Sequence, residues 1–241
     1  YYAQTYLNKE LIIFNTDIEY PYSLSFEDSS IIVVNNDLDY QTGMSYTNRG
    51  QICRDAITHS TGDYFMLADD DDIYLPWHIQ QAVDMIQSSG RDAWKPRKSF
   101  FAMPNKLELI SNVLEASVIV KMDRMREIGF QEEMKSGYEH LSWYTILRDE
   151  RQLLENEEWY IPSYCFNWSD PHEVAGHKQS GDINNPENFE NHKQASIDFV
   201  KRPLTNNYCL TDVYLPYFNF IKDNLHLFDL NLVEKYVSDN I

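Results

Sequence analysis

The sequence predicts a layered α/β domain with a mostly parallel central sheet flanked by helices, followed by further helices at the C-terminal end. Three observations lead there. Leu11-Ile12-Ile13-Phe14 and Ile31-Ile32-Val33-Val34 are short apolar runs of the kind that form buried parallel strands. Segments with helical spacing alternate with such runs, in the order strand, strand, helix, strand, helix. Gly and Asn residues sit in the joints, where turn formers belong.

The elements follow in order. Residues 35–50 are polar, contain turn formers and read as a loop. Residues 51–60 place Ile52, Ala56 and Ile57 at helical spacing, and Gly62 ends that helix before a third strand over 64–68. Residues 77–88 form an amphipathic helix with Ile79, Val83 and Ile86 on one face, closed by Gly90. Residues 99–103, 107–111 and 117–121 read as strands, and Met122–Ile128 as a short helix stopped by Gly129. A helix over 139–149 carries Leu141, Tyr144, Ile146 and Leu147, and 160–168 contains strand-like pieces. Residues 170–191, rich in Gly, His, Asn and Pro, read as a loop whose length goes with function or disorder. Residues 194–200 and 215–237 read as helices with Leu and Phe spaced for a buried face. Two units are expected: 1–185, carrying the layered domain, and 186–241, a helical extension packed on it.

The bulk numbers narrow the function. The chain has 241 residues, 43% of them hydrophobic and 14% aromatic, enough for a sizeable core. A net charge of −18 argues against broad binding to nucleic acid or anionic membrane. Only Lys95-Pro96-Arg97-Lys98 and residues 121–126 form cationic clusters. Cys53, Cys165 and Cys209 give neither a disulfide framework nor a zinc spacing, which suits a reducing, cytoplasmic location. No run is long enough to span a bilayer, and no signal peptide is visible. Asn167-Trp168-Ser169 is a lone glycosylation sequon. The chain begins at Tyr1 without Met, so residues upstream are expected.

The residues richest in chemistry are Asp69-Asp70-Asp71-Asp72, directly after the apolar run 64–68 and before Ile73-Tyr74-Leu75-Pro76. Four adjacent like charges repel. A divalent cation would neutralise some of them, since hard cations prefer carboxylate oxygens. A solvated acidic loop is the alternative. A core strand just before the cluster and a helix just after it favour a site, because open α/β sheets collect ligands at the carboxyl ends of strands.

Asn48-Arg49-Gly50-Gln51-Ile52-Cys53-Arg54-Asp55, then Thr61-Gly62-Asp63-Tyr64, then residues 69–76, resemble in order and spacing the nucleotide-sugar domain of GT-A fold glycosyltransferases, most closely the inverting family 2. Residues 4–13 resemble that family's link from first helix to second strand, and the resemblance covers roughly the first 180 residues. It implies that the family's first strand precedes Tyr1. It also implies an Asp-x-Asp motif at Asp69 and Asp71. Asp71 would bind the metal, Mn²⁺ or Mg²⁺; Asp69 would touch the ribose or the metal's water shell, with Asp70 and Asp72 in support. His177 would be the third metal ligand, with His172 as rival, while Lys178 and Ser180 would contact phosphate. Asp17 would contact the base or be an ordinary turn residue. Arg54 would face the diphosphate or pair with Asp69 or Asp72. The family's catalytic Glu-Asp pair stands here as Glu139-His140, so either could be the base. Trp143, Trp159 and Trp168 receive no role.

The function implied is metal-dependent transfer of a sugar from a nucleotide sugar, a UDP-sugar, to an acceptor hydroxyl with inversion. A sugar nucleotidyltransferase is the first alternative, although no Gly-rich phosphate loop is visible. A non-catalytic binding module or partner subunit is the second, motivated by His140 and the absent first strand. The acceptor could be a glycan, a lipid-linked glycan, a protein or a small molecule; the acidic charge disfavours nucleic acid. The loop 170–191 is expected to order over the diphosphate.

Overall fold

The computed structural model describes residues 1–24, 26–69, 72–103, 106–112, 115–132, 141–167 and 210–240. The layered α/β class holds, but parallel and antiparallel strands are mixed among the described residues where the sequence predicts a mostly parallel sheet. Among these residues the strands form three sheets. β1 (Leu11–Asn15) and β2 (Ile31–Asn35) pair in parallel, Leu11 against Ile31 through Asn15 against Asn35. β3 (Tyr64–Met66) and β8 (Ile119–Lys121) pair antiparallel; β8 then pairs antiparallel with β5 (Ala93–Lys95), and β5 runs parallel to β9 (Leu153–Glu155). The third sheet has the order β4 (Ile73–Tyr74), β10 (Tyr164–Asn167), β6 (Lys98–Met103), β7 (Lys106–Ser111), with only β10 and β6 parallel.

Helices α1 (Arg49–Ile57) and α2 (His78–Ser89) follow β2 and β4. Asn48 caps α1, its side chain accepting from the Gln51 N–H at 3.0 Å. Helix α2 turns Ala82, Val83 and Ile86 into the core. Helix α3 (Met122–Ile128) leaves β8 without a linker, and α4 (Leu141–Asp149) buries Trp143 and Leu147 beside it.

Two expectations on the elements change. Strands β4, β5 and β9, two or three residues each, show no period a sequence could display. Residues 215–237 are not one helix. α5 (Leu210–Asp223) stops, a 3₁₀ turn spans Leu225–Leu227, and α6 (Leu230–Tyr236) starts afresh. Asp229 causes the restart by accepting the Asn231 N–H at 2.8 Å as an N-cap. The expected helix over 194–200 and the proposed boundary at 186 lie outside the described residues. No helix among the described residues is long and apolar enough to cross a membrane.

The C-terminal helices share one core with the third sheet. Tyr217, Phe218, Ile221, Phe228, Val233 and Tyr236 are buried against Leu75, Trp77, Phe100, Ile161 and Cys165. Phe218 packs on Trp77 with ring centroids 5.9 Å apart, and Phe100 on Tyr217 at 5.2 Å. At the rim, Lys235 and the Tyr236 hydroxyl meet Asp84 of α2, each at 2.8 Å. Ile221 is fully buried at the centre of this contact. Ile221→Ala is therefore expected to lower unfolding free energy by about 2–5 kcal/mol. Urea denaturation followed by both tryptophan fluorescence and far-UV circular dichroism checks this. One shifted transition seen by both probes is expected; a separate early transition would mean the C-terminal helices unfold on their own.

Candidate functional site

β1 and β2 end side by side, and their last residues tie the two loops together. The Asn15 side-chain amide donates to Asn35 Oδ1 at 2.8 Å, which also accepts the Tyr22 N–H at 2.7 Å. Beyond this edge opens a groove of about 500 Å³, lined by Thr16, Asp37, Ser45, Tyr46, Thr47, Asn48, Arg49 and Ile52. It lies at the carboxyl ends of parallel strands and at the start of a helix, where the polarity of the backbone favours ligands.

Most of the wall comes from the loop 36–48, and Asp39 shapes that loop. Its carboxylate accepts the Gln41 and Thr42 N–H groups, each at 2.8 Å. Its other oxygen accepts from Arg54 at 2.7 Å. Arg54 also donates to Asp55 at 2.9 Å and to Glu132 at 2.6 Å. Asp55 returns to the loop, accepting the Tyr40 N–H and the Tyr46 hydroxyl at 2.8 Å. The Asp39 and Asp55 side chains are 1% and 3% exposed, so both carboxylates depend on this one guanidinium.

The acidic turn is held from two sides. The Asp69 carboxylate pairs with Arg49 of the groove wall, and its N–H donates to the Tyr74 hydroxyl at 3.2 Å. That hydroxyl in turn donates to the Ala116 carbonyl at 3.2 Å. Asp72 faces the other way. One of its oxygens accepts from the Tyr164 hydroxyl and the other from the Asn167 N–H at 3.2 Å. Burial, then the charge of Asp72, pushes the Tyr164 phenol far up, so it stays a donor. Beneath lies His78, fully buried against the rings of Tyr74 and Trp94. Burial pushes its imidazole down to about 3, so the ring is neutral at physiological pH.

The expected site residues fare differently. Asp69 stands at the rim of the groove. Asp17 is exposed in the turn after β1 and accepts the Glu19 N–H at 3.2 Å; Thr16 and Asp37 line the groove instead. The pairing of Arg54 with Asp69 or Asp72 is corrected: its partners are Asp39, Asp55 and Glu132, and Arg49 reaches Asp69. The reason is direction along α1. Arg49 opens the helix beside the acidic turn, whereas Arg54 lies more than a turn further on, over the loop 36–48. Asp70, Asp71, Glu139, His140, His172, His177, Lys178, Ser180 and the loop 170–191 lie outside the described residues. Among the described residues no group of three His, Cys, Asp or Glu side chains forms a metal cage. Sequence reasoning gave no role to Asp37, Tyr46, Asn48 or Arg49, although Asn48 and Arg49 open the segment that resembles the nucleotide-sugar domain; an Asn cap ahead of the helix was the local signal for Asn48.

Two outcomes follow from these contacts. Arg54→Met leaves two buried carboxylates without their cation and is expected to cost about 3–5 kcal/mol in urea unfolding; adding Asp39→Asn should recover part of the loss. The second outcome concerns acid. The Arg54 guanidinium beside Asp39 holds its carboxyl down to about 2, against an ordinary 3.8. Its contribution is present above about pH 4 and disappears as pH falls toward about 2. His78 acts earlier: its ring must charge on unfolding, so stability falls as pH drops below about 6.5. Acid titration followed by circular dichroism should show both limbs. His78→Gln should flatten the upper limb and Asp39→Asn the lower.

No protein-family model matches the sequence, and no curated protein matches it. Among solved structures, the S. aureus TarS fragment 1–349 in complex with UDP matches with a TM-score of 0.50 at 13% identity, over 72% of this chain and 56% of that one. The same fragment alone gives 0.48 at 12% identity over the same shares. Its complex with UDP-GlcNAc gives 0.47 at 12%, over 94% and 83%. In the UDP-complex match, then, this chain spans little more than half of the TarS fragment. TarS is a glycosyltransferase with a GT-A-like fold. This chain shares that fold, as its ordered motifs implied.

Proposed function

We propose that the chain carries the donor-binding part of a glycosyltransferase that moves a sugar from a nucleotide sugar, a UDP-sugar, to an acceptor hydroxyl with inversion. One observation carries the reading: Arg49 joins the groove at the ends of β1 and β2 to Asp69 of the acidic turn. A base and ribose in the groove would thus run toward the acids with their diphosphate. The TarS complexes with UDP and UDP-GlcNAc support a donor of this class.

Each group then has a task. Asp37, Tyr46 and Asn48 offer acceptors and donors to the base and ribose from a wall that Arg54 fixes from behind. Arg54 would thus serve the donor from that position. Arg49 supplies a fork for the diphosphate. Asp69, 22% exposed at the rim and not consumed by burial, fits a role toward a hard cation, whereas Asp72 has both oxygens engaged by β10. A divalent cation, Mn²⁺ or Mg²⁺, held by Asp69, Asp71 and His177, would stabilise the charge that builds on the leaving diphosphate. Asp17, in the turn after β1 beside the groove residue Thr16, would meet the base at the edge of the groove, and Lys178 and Ser180 would meet phosphate oxygens. In the displacement the acceptor oxygen forms its bond to the anomeric carbon. The bond from that carbon to phosphate breaks with its electron pair leaving on UDP, and the acceptor proton passes to Glu139 or His140.

Calorimetric titration with UDP, with and without Mn²⁺, tests the reading. UDP is expected to bind more tightly with Mn²⁺. Asp71→Ala should abolish the metal-supported gain, and Arg49→Ala should weaken binding about tenfold through loss of a charge-assisted hydrogen bond. Unchanged UDP affinity in Asp71→Ala with metal present would refute the metal assignment. For the base, Glu139→Gln and His140→Asn are compared in donor turnover. The variant lacking the base should keep UDP affinity and lose about 10²–10⁴ in rate. If His140 is the base, the native rate should fall as pH drops through about 6.5; a fall at lower pH assigns Glu139.

A further inference from the structure

Residues 130–132 form a short strap that leaves α3 at Gly129, whose φ of +73° suits glycine and turns the chain out of the helix. Three consecutive residues of this strap are anchored, each to an element that builds the groove or the acidic turn. The Phe130 ring meets Phe65 of β3 edge-on, with centroids 5.7 Å apart. Gln131 lies over the first turn of α1, so close that a Cβ added at Gly50 would sit 2.0 Å from its carbonyl oxygen and 2.8 Å from its carbonyl carbon. The Glu132 carbonyl accepts the Asn48 amide at 2.6 Å, and its carboxylate accepts Arg54 at 2.6 Å. Asn48 is itself a wall of the groove.

Gly50 and Glu132 each carry a local cost that their contact with the strap or with Arg54 offsets. A glycine inside a helix costs about 1 kcal/mol relative to alanine. Asp39 and Asp55 already exceed the charge of Arg54, and Glu132 adds a third carboxylate to one cation. What both residues do is bring the strap to the rim of the groove. The chain continues from that point to Glu139 and His140, seven and eight positions beyond Glu132.

We propose that Gly50 and Glu132 are positioning residues, which clasp the strap 130–132 to α1 and thereby set where the base-bearing segment starts relative to the donor. The role rests on the nucleotide-sugar reading of the groove and on the proposed base at Glu139 or His140. Displacement of reacting groups by about 1 Å can cost about 10²-fold in rate.

The test compares the native protein, Gly50→Ala and Glu132→Ala. It uses hydrogen exchange across residues 129–132, UDP affinity with Mn²⁺, and UDP release from UDP-GlcNAc. In Gly50→Ala the strap amides should exchange at least about tenfold faster. UDP release should fall about 10²-fold, with UDP affinity within about threefold of native. Glu132→Ala, whose side chain is a third exposed and can leave without strain, should move the same readouts in the same direction by about tenfold. Native exchange in both variants overturns the clasp. Affinity lost in parallel with turnover overturns the positioning role, since that pattern reports a damaged groove. A native protein that binds no UDP overturns the reading of the groove and with it the positioning role, while the exchange data still decide whether the strap is clasped.

Discussion

Three carboxylates converge on the guanidinium of Arg54, and each belongs to a different part of the chain. Asp39 comes from the loop after β2, Asp55 from α1 itself and Glu132 from the strap after α3. A guanidinium can meet this demand because its donors form a planar fork and its charge persists at every relevant pH. Lysine would supply one compact charge and no such fork. Two of the carboxylates are buried, so the arrangement has a single answer: any shift of the loop or the helix strips a carboxylate of its cation in a place water does not reach. The groove wall inherits that answer. Tyr46 lines the groove and also donates to Asp55, and Asp37, Ser45, Thr47 and Asn48 belong to the same loop or its exit.

The acidic turn obeys a second constraint, the repulsion among adjacent carboxylates. At the two described acids of the run the structure sends the charges apart. Asp69 goes to Arg49 on α1, and Asp72 goes to Tyr164 and the Asn167 N–H on β10. A freely solvated acidic loop would show neither contact. The C-terminal helices add a brace from below. Tyr214 donates to the carbonyl of Tyr74 at 3.5 Å, and the Tyr74 hydroxyl accepts the Asp69 N–H. Helices distant in sequence thus reach the turn through one tyrosine of β4, which is why their packing bears on the site.

The sequence shows some of this and hides the rest for physical reasons. The apolar runs of β1 and β2 and the helix Met122–Ile128 are local, and the structure repeats them closely. Strands of two or three residues are defined only by their partners and leave no trace in a pattern. The partners of Arg54 were hidden for another reason. Asp69 and Asp72 stand out in the pattern as a cluster, whereas Asp39 is one of two separated acids in a polar loop and Glu132 lies 78 positions away. The choice among Asp17, Thr16 and Asp37 turns on which side each loop leaves its strand, and strand periodicity does not encode that.

Helix α1 shows how the levels fit together. A helix serving only a core turns apolar residues inward and leaves charges at the surface. Helix α2 does this with Ala82, Val83 and Ile86, and keeps Asp84 at its rim for Lys235. Helix α1 departs from the pattern at three positions. Gly50 stands in its first turn, Asp55 is buried, and Arg54 runs across three carboxylates. Each departure has an identified contact: Gly50 with the strap, Asp55 with the loop, and Arg54 with both. Local rules are broken where something other than stability is being fixed. Here three such departures fall on one element, and that element touches the groove, the acidic turn and the strap together.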